Sequence, residues 1–496
     1  MFQLKESTLT LVDRLAEALD EQGISYCQWK GHRKRDRWAK GEGDIDLLVD
    51  RAHVERFTGV LCRLRFKQAL APVERQIPST ATYYGFDPEV NRFINIHVHQ
   101  QILFGHYLTM NYHLPIERPI LESAVGGSSF RPFRTPTPEF ELIVFVIRMI
   151  LGFSLRASIH HGQAAWSIAA QDELAYLRAR ANPIELAEVL QQQLPFIGAA
   201  FFQTCMLSLR SDCSVWKRLS LKQRMHSRLK SHTRRSQLGD FSWRVWCCII
   251  NKVRQFLFRR PTRNKLASGG KIIALIGGDG AGKSTAVDEL HGWLSTSFNT
   301  MKFHLGKPPR SLMTLTVAVA RRGGLLLVSR LFNKTRKISA VADRNAPIFP
   351  GYLLLLRSVC IARDRYRLYV KARRFATNGG LVICDRYPTP QIRSMDGPNI
   401  SRLVGSQQFN RLTDILLTKE AKYYQQIMPP DLPIVLRVDP EIAVRRKTDE
   451  DADYVRSRSL EVWELDLAES GALVVDADRP KADVLSDLQS IIWSEL

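Results

Sequence analysis

The chain has 496 residues, of which 45% are hydrophobic, and its 71 Lys and Arg against 49 Asp and Glu give a net charge of +22. The length predicts about three domains, and the hydrophobic content is enough for several cores, which excludes a disordered chain. The eight cysteines show no Cys-x-x-Cys spacing, which excludes a zinc ribbon and a disulfide framework and favours a reducing compartment. We expect neither a signal peptide nor a transmembrane helix, and therefore a cytoplasmic protein, either free or peripheral at the inner membrane surface.

Residues 1–130 predict an α+β domain around an Asp-x-Asp pair. We expect a helix over Ser7–Gln22, a strand over Ile24–Trp29 and a second strand that contains Asp44 and Asp46. Side chains alternate along a strand, so both carboxylates point to one face, where they can share divalent metal ions.

These features resemble the nucleotidyltransferase fold over roughly residues 20 to 130, in particular an uncharacterised bacterial group with the pattern KG…GDIDLLV…DLH. The resemblance implies transfer of a nucleotide to a partner or to RNA. Two positions depart from the pattern: His32 stands where a Ser would touch phosphate, and Asn95 stands where a third carboxylate is expected. Because Asn is a poor metal ligand and no general base, we expect a domain that binds or folds without catalysis rather than an active one.

A histidine pair lies on the same predicted strand as Asn95. His97 and His99 share one face of that strand, where packing is the more common role of such residues. Metal binding becomes an option if the fold brings them close to Asp44 and Asp46.

A helical extension is predicted over residues 131–206 and a basic linker over residues 207–270, with a hinge at Pro261–Gly270. Between Met206 and Lys265, sixteen Lys and Arg stand against two Asp, a net charge of +14. A solvated linker is the first interpretation. Interleaved Trp and Phe make a membrane-surface segment the second, and contact with nucleic acid or another anionic polymer is the third.

Residues 271–496 begin with a strand, a glycine-rich loop and a helix in direct succession. The strand is predicted over Lys271–Ile276. The loop and the helix start form G-x-x-x-x-G-K-S, with the residues Gly277, Gly278, Asp279, Gly280, Ala281, Gly282, Lys283, Ser284 and Thr285. In this motif the backbone N–H groups cradle phosphates, the Lys reaches the β- and γ-phosphates and the Ser ligates Mg²⁺. The sequence therefore predicts a site for ATP and Mg²⁺.

A second cluster of polar residues follows a later buried strand. We expect a strand over Met301–Leu305, a long helix over Gly351–Phe375 and a strand over Gly380–Cys384, with Asp385 and Arg386 directly behind it. Ligands of open α/β sheets bind at the carboxyl ends of the strands. Asp385 is therefore predicted to share Mg²⁺ with the glycine-rich loop.

This half of the chain resembles thymidylate kinase through landmarks in the family's order: the loop, A-x-D-R at Ala362–Arg365, D-R-Y at Asp385–Tyr387, P-E-x-A-x-x-R at Pro440–Arg446 and the terminal V-D-A at Val475–Ala477. The resemblance implies a P-loop fold with three α/β/α layers and a parallel sheet, and transfer of the γ-phosphoryl group of ATP to an acceptor phosphate.

The roles that the resemblance implies fall on named arginines and a tyrosine. Arg386 would hold the acceptor's phosphate, Tyr387 would line the same site and Arg365 would meet the acceptor's base. Arg445 and Arg446 are the best candidates for lid arginines that neutralise the transferring group, because Gly280 leaves the loop without an arginine of its own. We interpret Arg456 and Arg458 as surface charges.

The leading hypothesis is a two-module phosphotransferase that acts on a small phosphorylated acceptor, nominally a nucleoside monophosphate. The segments 306–351 and 393–398 depart from thymidylate kinase and leave the acceptor open. The second hypothesis is an ATP-binding regulatory or assembly factor at the membrane surface, in polysaccharide production. The oligomeric state, a homodimer included, stays open.

Overall fold

The computed structural model describes residues 10–30, 43–126, 132–153, 168–210, 213–258, 263–320, 351–389, 397–404, 410–465 and 471–496. The chain divides into two compact units, Met1–Ala267 and Ser268–Leu496. His32, residues 321–350 and most of the departing segment 393–398 lie outside the described residues.

The first unit contains a mixed sheet and a small ribbon. Its described strands are β1 Tyr26–Lys30, β2 Asp44–Val49, β3 Lys67–Leu70, β4 Thr80–Asp87, β5 Arg92–His99, β6 Ile102–Phe104, β7 Tyr112–Leu114 and β8 Lys265–Leu266. Six of them form one sheet in the order β1-β2-β5-β4-β3-β8, and β6 pairs with β7. The strands β2 and β5 run parallel, with Asp44 opposite Asn95 and Asp46 opposite His97. This register places the predicted carboxylates beside the histidine pair.

The described helices of the first unit cover its sheet and build a second core. They are α1 Thr10–Glu21, α2 Val54–Arg63, α3 Glu117–Glu122, α4 Pro138–Gly152, α5 Ile168–Arg180, α6 Pro183–Gln193, α7 Ala199–Leu207, α8 Val215–Arg228 and α9 Gln237–Phe258, with 3₁₀ turns at Arg51–His53, Val73–Arg75 and Lys230–His232. Helix α4 is buried almost all round, because it is apolar on every face. It forms the centre of the core that the later helices share.

The basic stretch of residues 207–270 is helical over most of its described part. Helix α8 buries Leu221 and Met225 in the same core as α4. The guanidinium of Arg218 on this helix is buried and donates from Nε to the carbonyl oxygen of Ser208 at 3.0 Å. Residues 213–258 are therefore part of the first unit rather than an extended connection.

The second unit is built on a parallel sheet. Its strands are β9 Ile272–Gly277, β10 Thr300–His304, β11 Leu381–Asp385, β12 Leu432–Arg437 and β13 Leu473–Asp476, in the order β10-β11-β9-β12-β13. Strand β9 is buried along its whole length, as expected of a central parallel strand that helices cover on both faces. The parallel α/β fold that the sequence predicts for this half is confirmed, whereas the nucleotidyltransferase resemblance of the first unit stays a prediction.

The described helices of the second unit are α10 Lys283–Ser295, α11 Tyr352–Thr377, α12 Ile400–Val404, α13 Arg411–Gln425, α14 Pro440–Arg446, α15 Ala452–Trp463 and α16 Lys481–Glu495, and residues 312–320 are also helical. Helix α11 packs Leu368, Tyr369 and Ala372 onto the sheet and ends before Gly379, whose φ of +83° suits a helix stop. Within the residues described for either unit, no helix is long and apolar enough to cross a bilayer.

Candidate functional site

The glycine-rich loop joins the end of β9 to the start of α10 and is tightly enclosed. Gly280 has φ +83° and Gly282 has φ +79°, a conformation that other residues adopt only with strain. A Cβ atom on Gly278 would lie 2.7 Å from Oγ of Ser459, and one on Gly280 would lie 2.7 Å from the carbonyl oxygen of Ala443. Helices α14 and α15 therefore lie directly against the loop, and the glycines are what allows this approach.

Ser284 and Asp385 meet, as the sequence predicts. Ser284 lies in the first turn of α10, and Asp385 is the last residue of β11, the strand that pairs with β9. Ser284 Oγ donates to Asp385 Oδ2 at 2.6 Å. The other carboxylate oxygen, Oδ1, is buried and has no hydrogen-bond partner among the described residues. A hydroxyl and an unsatisfied carboxylate oxygen at one point fit Mg²⁺, which prefers such oxygen ligands. When bound, the ion would neutralise charge on phosphate oxygens.

Lys283 is buried at the same place. Its ammonium donates to the carbonyl oxygen of Gly278 in the loop. Burial, followed by the nearby charge of Arg386, lowers the pKa of Lys283 from 10.5 to about 8. A charged group held so far from water is stabilised by any anion that enters the loop.

Asp279, inside the loop, holds two arginines. Arg386 donates from Nη2 to Asp279 Oδ1 at 2.6 Å, and Arg458 donates from Nη1 to Asp279 Oδ2 at 2.8 Å. Burial raises the pKa of Asp279, but the charges of Arg386, Lys283 and Arg458 outweigh it and hold this pKa below its usual range. Arg386 adopts φ +62°, a strained backbone of the kind found at functional sites.

Arg458 is the residue that sequence reasoning missed. Its side chain is 15% exposed and pairs with the loop, whereas that of Arg456 is 41% exposed and pairs with Glu441 and Asp453. The interpretation as a surface charge therefore holds for Arg456 and is wrong for Arg458. The sequence spacing does not predict this difference in exposure, because the exposure of each arginine depends on which face of α15 packs on the loop.

The lid candidates Arg445 and Arg446 lie in different surroundings. Both side chains are exposed, but Arg446 donates to the carbonyl oxygens of Ala477 at 2.8 Å and Asp478 at 3.2 Å. Arg446 borders a cleft of about 280 Å³ beside the loop, whose wall includes Gly280, Ala281, Gly282, Thr285 and Lys481. The structure thus brings Arg446, but not Arg445, to the loop's flank.

Arg365 and Tyr387 are buried in the second unit. Arg365 donates from Nε to the carbonyl oxygen of Leu305 at 2.7 Å and from Nη2 to that of Gly306 at 3.0 Å, so it braces the turn after β10. The hydroxyl of Tyr387 donates to the carbonyl oxygen of Met428 at 2.6 Å. In this conformation the donor groups of Arg365 and Tyr387 bond to carbonyl groups of the protein. The resemblance assigns the same two side chains to the binding of the phosphoryl acceptor.

The glycine-rich loop, its lysine and the Ser284–Asp385 pair are the parts of a P-loop nucleotide-binding site.

The chain has limited similarity to known proteins. No family model matches the chain. The chain is 26% identical over 231 residues to the uncharacterized ATP-binding protein YghR of Escherichia coli strain K12, a match that covers 45% of this chain and 86% of that protein. It is 25% identical over 220 residues to the uncharacterized ATP-binding protein YghS of the same strain, with 43% of this chain and 89% of that protein covered. A solved structure of thymidylate kinase from Candida albicans is 19% identical, with coverage of 46% of this chain and 92% of that chain and a TM-score of 0.28.

The Asp-x-Asp pair of the first unit has other partners. Asp44 Oδ1 accepts a hydrogen bond from Asn95 Nδ2 at 2.6 Å. Asp46 Oδ1 lies 3.0 Å from Lys30 Nζ and 2.9 Å from His99 Nε2. The two carboxylates are therefore bound by different groups of the protein.

The histidine pair does lie close to Asp46. The nitrogens of His97 and His99 and an oxygen of Asp46 lie within 4.8 Å of one another, a grouping that could hold a metal ion. Burial raises the pKa of Asp46, but hydrogen bonds from His97 and His99 and the charge of Lys30 hold it well below its usual range. Burial lowers the pKa of His99 to about 4. The ammonium of Lys30 already neutralises this carboxylate, so the predicted metal role of Asp44 and Asp46 stays a prediction.

Proposed function

We propose that the second unit transfers the γ-phosphoryl group of Mg-ATP to the phosphate of a small acceptor. The observation that carries the proposal is the contact of Ser284 with the buried carboxylate of Asp385 beside Lys283, where one oxygen of Asp385 has no hydrogen-bond partner in the described part of the chain. Among the described residues, Lys283, Arg386 and Arg458 gather around the carboxylates of Asp279 and Asp385. The phosphates of a bound nucleotide would bring further negative charge to these cations.

Each side chain then has a distinct task. The loop N–H groups and Lys283 would hold the β- and γ-phosphates, and Ser284 and Asp385 would hold Mg²⁺. Arg386 and Arg458, which Asp279 positions, would stabilise the negative charge on the transferring group and on the acceptor's phosphate. The cleft beside Thr285 would take the nucleoside part of the donor. The relatives named as ATP-binding proteins support ATP as that donor.

A screen with ATP labelled in its γ-phosphate tests the proposal. Nucleoside monophosphates, sugar phosphates and free sugars are offered in turn, and labelled product is expected with one class. Lys283→Ala should abolish transfer. Lys302→Ala is the matched control, because Lys302 is an exposed lysine that pairs with Asp288. Turnover that Lys283→Ala leaves unchanged would overturn the proposal.

The alternative is an ATP-binding factor that regulates or assembles other proteins at a membrane surface, in polysaccharide production, without moving a phosphoryl group. The cations that lie at the loop favour nucleotide binding under both proposals. Tight binding of ATP with no labelled product from any acceptor class would favour the alternative.

A further inference from the structure

Helix α9, Gln237–Phe258, exposes a series of large apolar side chains. Seven of them are exposed by between 41% and 84% of their surface: Leu238, Phe241, Val245, Trp246, Ile249, Val253 and Phe256. Steps of three and four residues dominate this series, so the side chains form one stripe along a helix of about 33 Å. A continuous exposed stripe of this size marks an interaction surface.

The opposite face of α9 is the more polar one, and it holds the helix to its unit. Arg254 donates from Nη1 to the buried carboxylate of Glu74 at 2.6 Å. Asp240 and Cys247 are buried on this face, and the guanidinium of Arg235 lies 4.5 Å from the ring centroid of Trp243. The helix is therefore docked through polar contacts, and its apolar face is left outward.

The exposed charge in the basic stretch that contains α9 has one sign. Asp240 is the single Asp or Glu in residues 213–258, and it is buried. The exposed charged side chains of these residues are all cations, among them Lys217, Arg224, Lys230 and Lys252. A surface with apolar and cationic groups and no exposed carboxylate complements anionic headgroups above acyl chains.

We propose that α9 lies in the plane of an anionic membrane surface, with the stripe from Leu238 to Phe256 in the headgroup layer and the exposed cations of residues 213–258 against lipid phosphates. A second copy of this chain is disfavoured as the occupant, because it would bring like charges together. Nucleic acid is disfavoured because it would leave the apolar stripe uncovered. This inference does not depend on the proposed phosphotransfer.

Sedimentation of the full chain with vesicles tests the inference. The chain should bind vesicles in which about a third of the lipid is phosphatidylglycerol, and bind phosphatidylcholine vesicles at least tenfold more weakly, because about four basic groups lose their anionic partners. The double variant Phe241→Ser and Phe256→Ser should weaken binding to the anionic vesicles by about tenfold or more. Ile184→Ser, which changes an exposed apolar residue on α6, should leave binding unchanged.

Two results would overturn the inference. One is equal binding to both kinds of vesicle. The other is a chain that ignores vesicles but forms, in analytical ultracentrifugation, a dimer that the same double variant dissociates, because that result would identify the occupant as a second copy.

Discussion

The two units each hold a cluster of charged side chains, and the clusters differ in which groups bind their carboxylates. In the first unit Lys30 neutralises Asp46, and Asn95 binds Asp44. In the second unit Lys283, Arg386 and Arg458 surround Asp279, and one oxygen of Asp385 has no partner among the described residues. Side chains of the protein thus bind both carboxylates of the first cluster, whereas the second cluster keeps a carboxylate oxygen open to a ligand. The second cluster is therefore the better candidate for a ligand-binding site.

The largest effect is expected from Asp385→Asn. The amide keeps the shape but loses the charge that would hold Mg²⁺, so ATP turnover should fall by about 10- to 100-fold and require more Mg²⁺. Steady-state turnover measured across a Mg²⁺ series checks this. Asp288→Asn, an exposed carboxylate on α10, is the control, and equal Mg²⁺ dependence in the two variants would contradict the role of Asp385.

The next largest effect is a dependence of the stability of the first unit on pH. Burial lowers the pKa of His99 to about 4 from 6.5, so the unfolded chain binds more protons between these values and stability is lost as the pH falls. Between pH 6.5 and pH 5 this loss should amount to roughly 1.5 kcal/mol. Burial lowers the pKa of His226 to about 4 as well, so only the difference between variants isolates His99.

Hydrogen exchange of the β2 and β5 amides in the full chain measures that difference. After correction for intrinsic exchange rates, the wild type should lose protection from pH 6.5 to pH 5 more steeply than His99→Gln, whose amide can still donate to Asp46 without titrating. Identical pH slopes would show that His99 is not held neutral.

A smaller effect is expected from Arg458→Met. Removing one of the two arginines on Asp279 should weaken ATP binding about tenfold, the order of a single charge-assisted contact. Arg456→Met changes the exposed neighbour on the same helix and should leave affinity within about twofold, as is usual for surface ion pairs. If both variants bind alike, the buried position of Arg458 has no part in nucleotide binding.

The contrast between these arginines shows how far sequence reasoning reaches. The loop, Lys283 and the strand-end Asp385 could be predicted, because a strand, a loop and a helix in succession fix local geometry and parallel strands bring their ends together. The contact of Arg458 with the loop could not be predicted, because the packing of α15 decides the orientation of this side chain. Arg365 and Tyr387 match motif positions, yet their partners are carbonyl groups that only the tertiary fold brings near.

The first unit gives the same lesson about registers and faces. Alternation along a strand placed His97 and His99 on one face, but only the pairing of β2 with β5 sets them beside Asp46. The charge count of the basic stretch indicated an anionic partner, but it could not show that α9 turns its apolar side outward, because that depends on the contact of Arg254 with Glu74.

The smallest effect is expected from Asp44→Ala. Asp44 is exposed and bonded to Asn95, so its loss should change stability by no more than about 1 kcal/mol and leave ATP binding as it was. If the first unit transfers nucleotides, incorporation of a labelled nucleotide into protein or RNA should vanish in this variant. Incorporation that persists would rule out a catalytic role for this carboxylate.

Calorimetric titration of the full chain with Mg-ATP tests most directly the claim that the charged cluster of the second unit, around Lys283, binds the nucleotide. Lys283→Met should lower the affinity at least about tenfold, because the ammonium that would meet the phosphates is removed, and Asp46→Asn should bind like the wild type. Unchanged affinity in Lys283→Met, or a loss of affinity confined to Asp46→Asn, would contradict the claim.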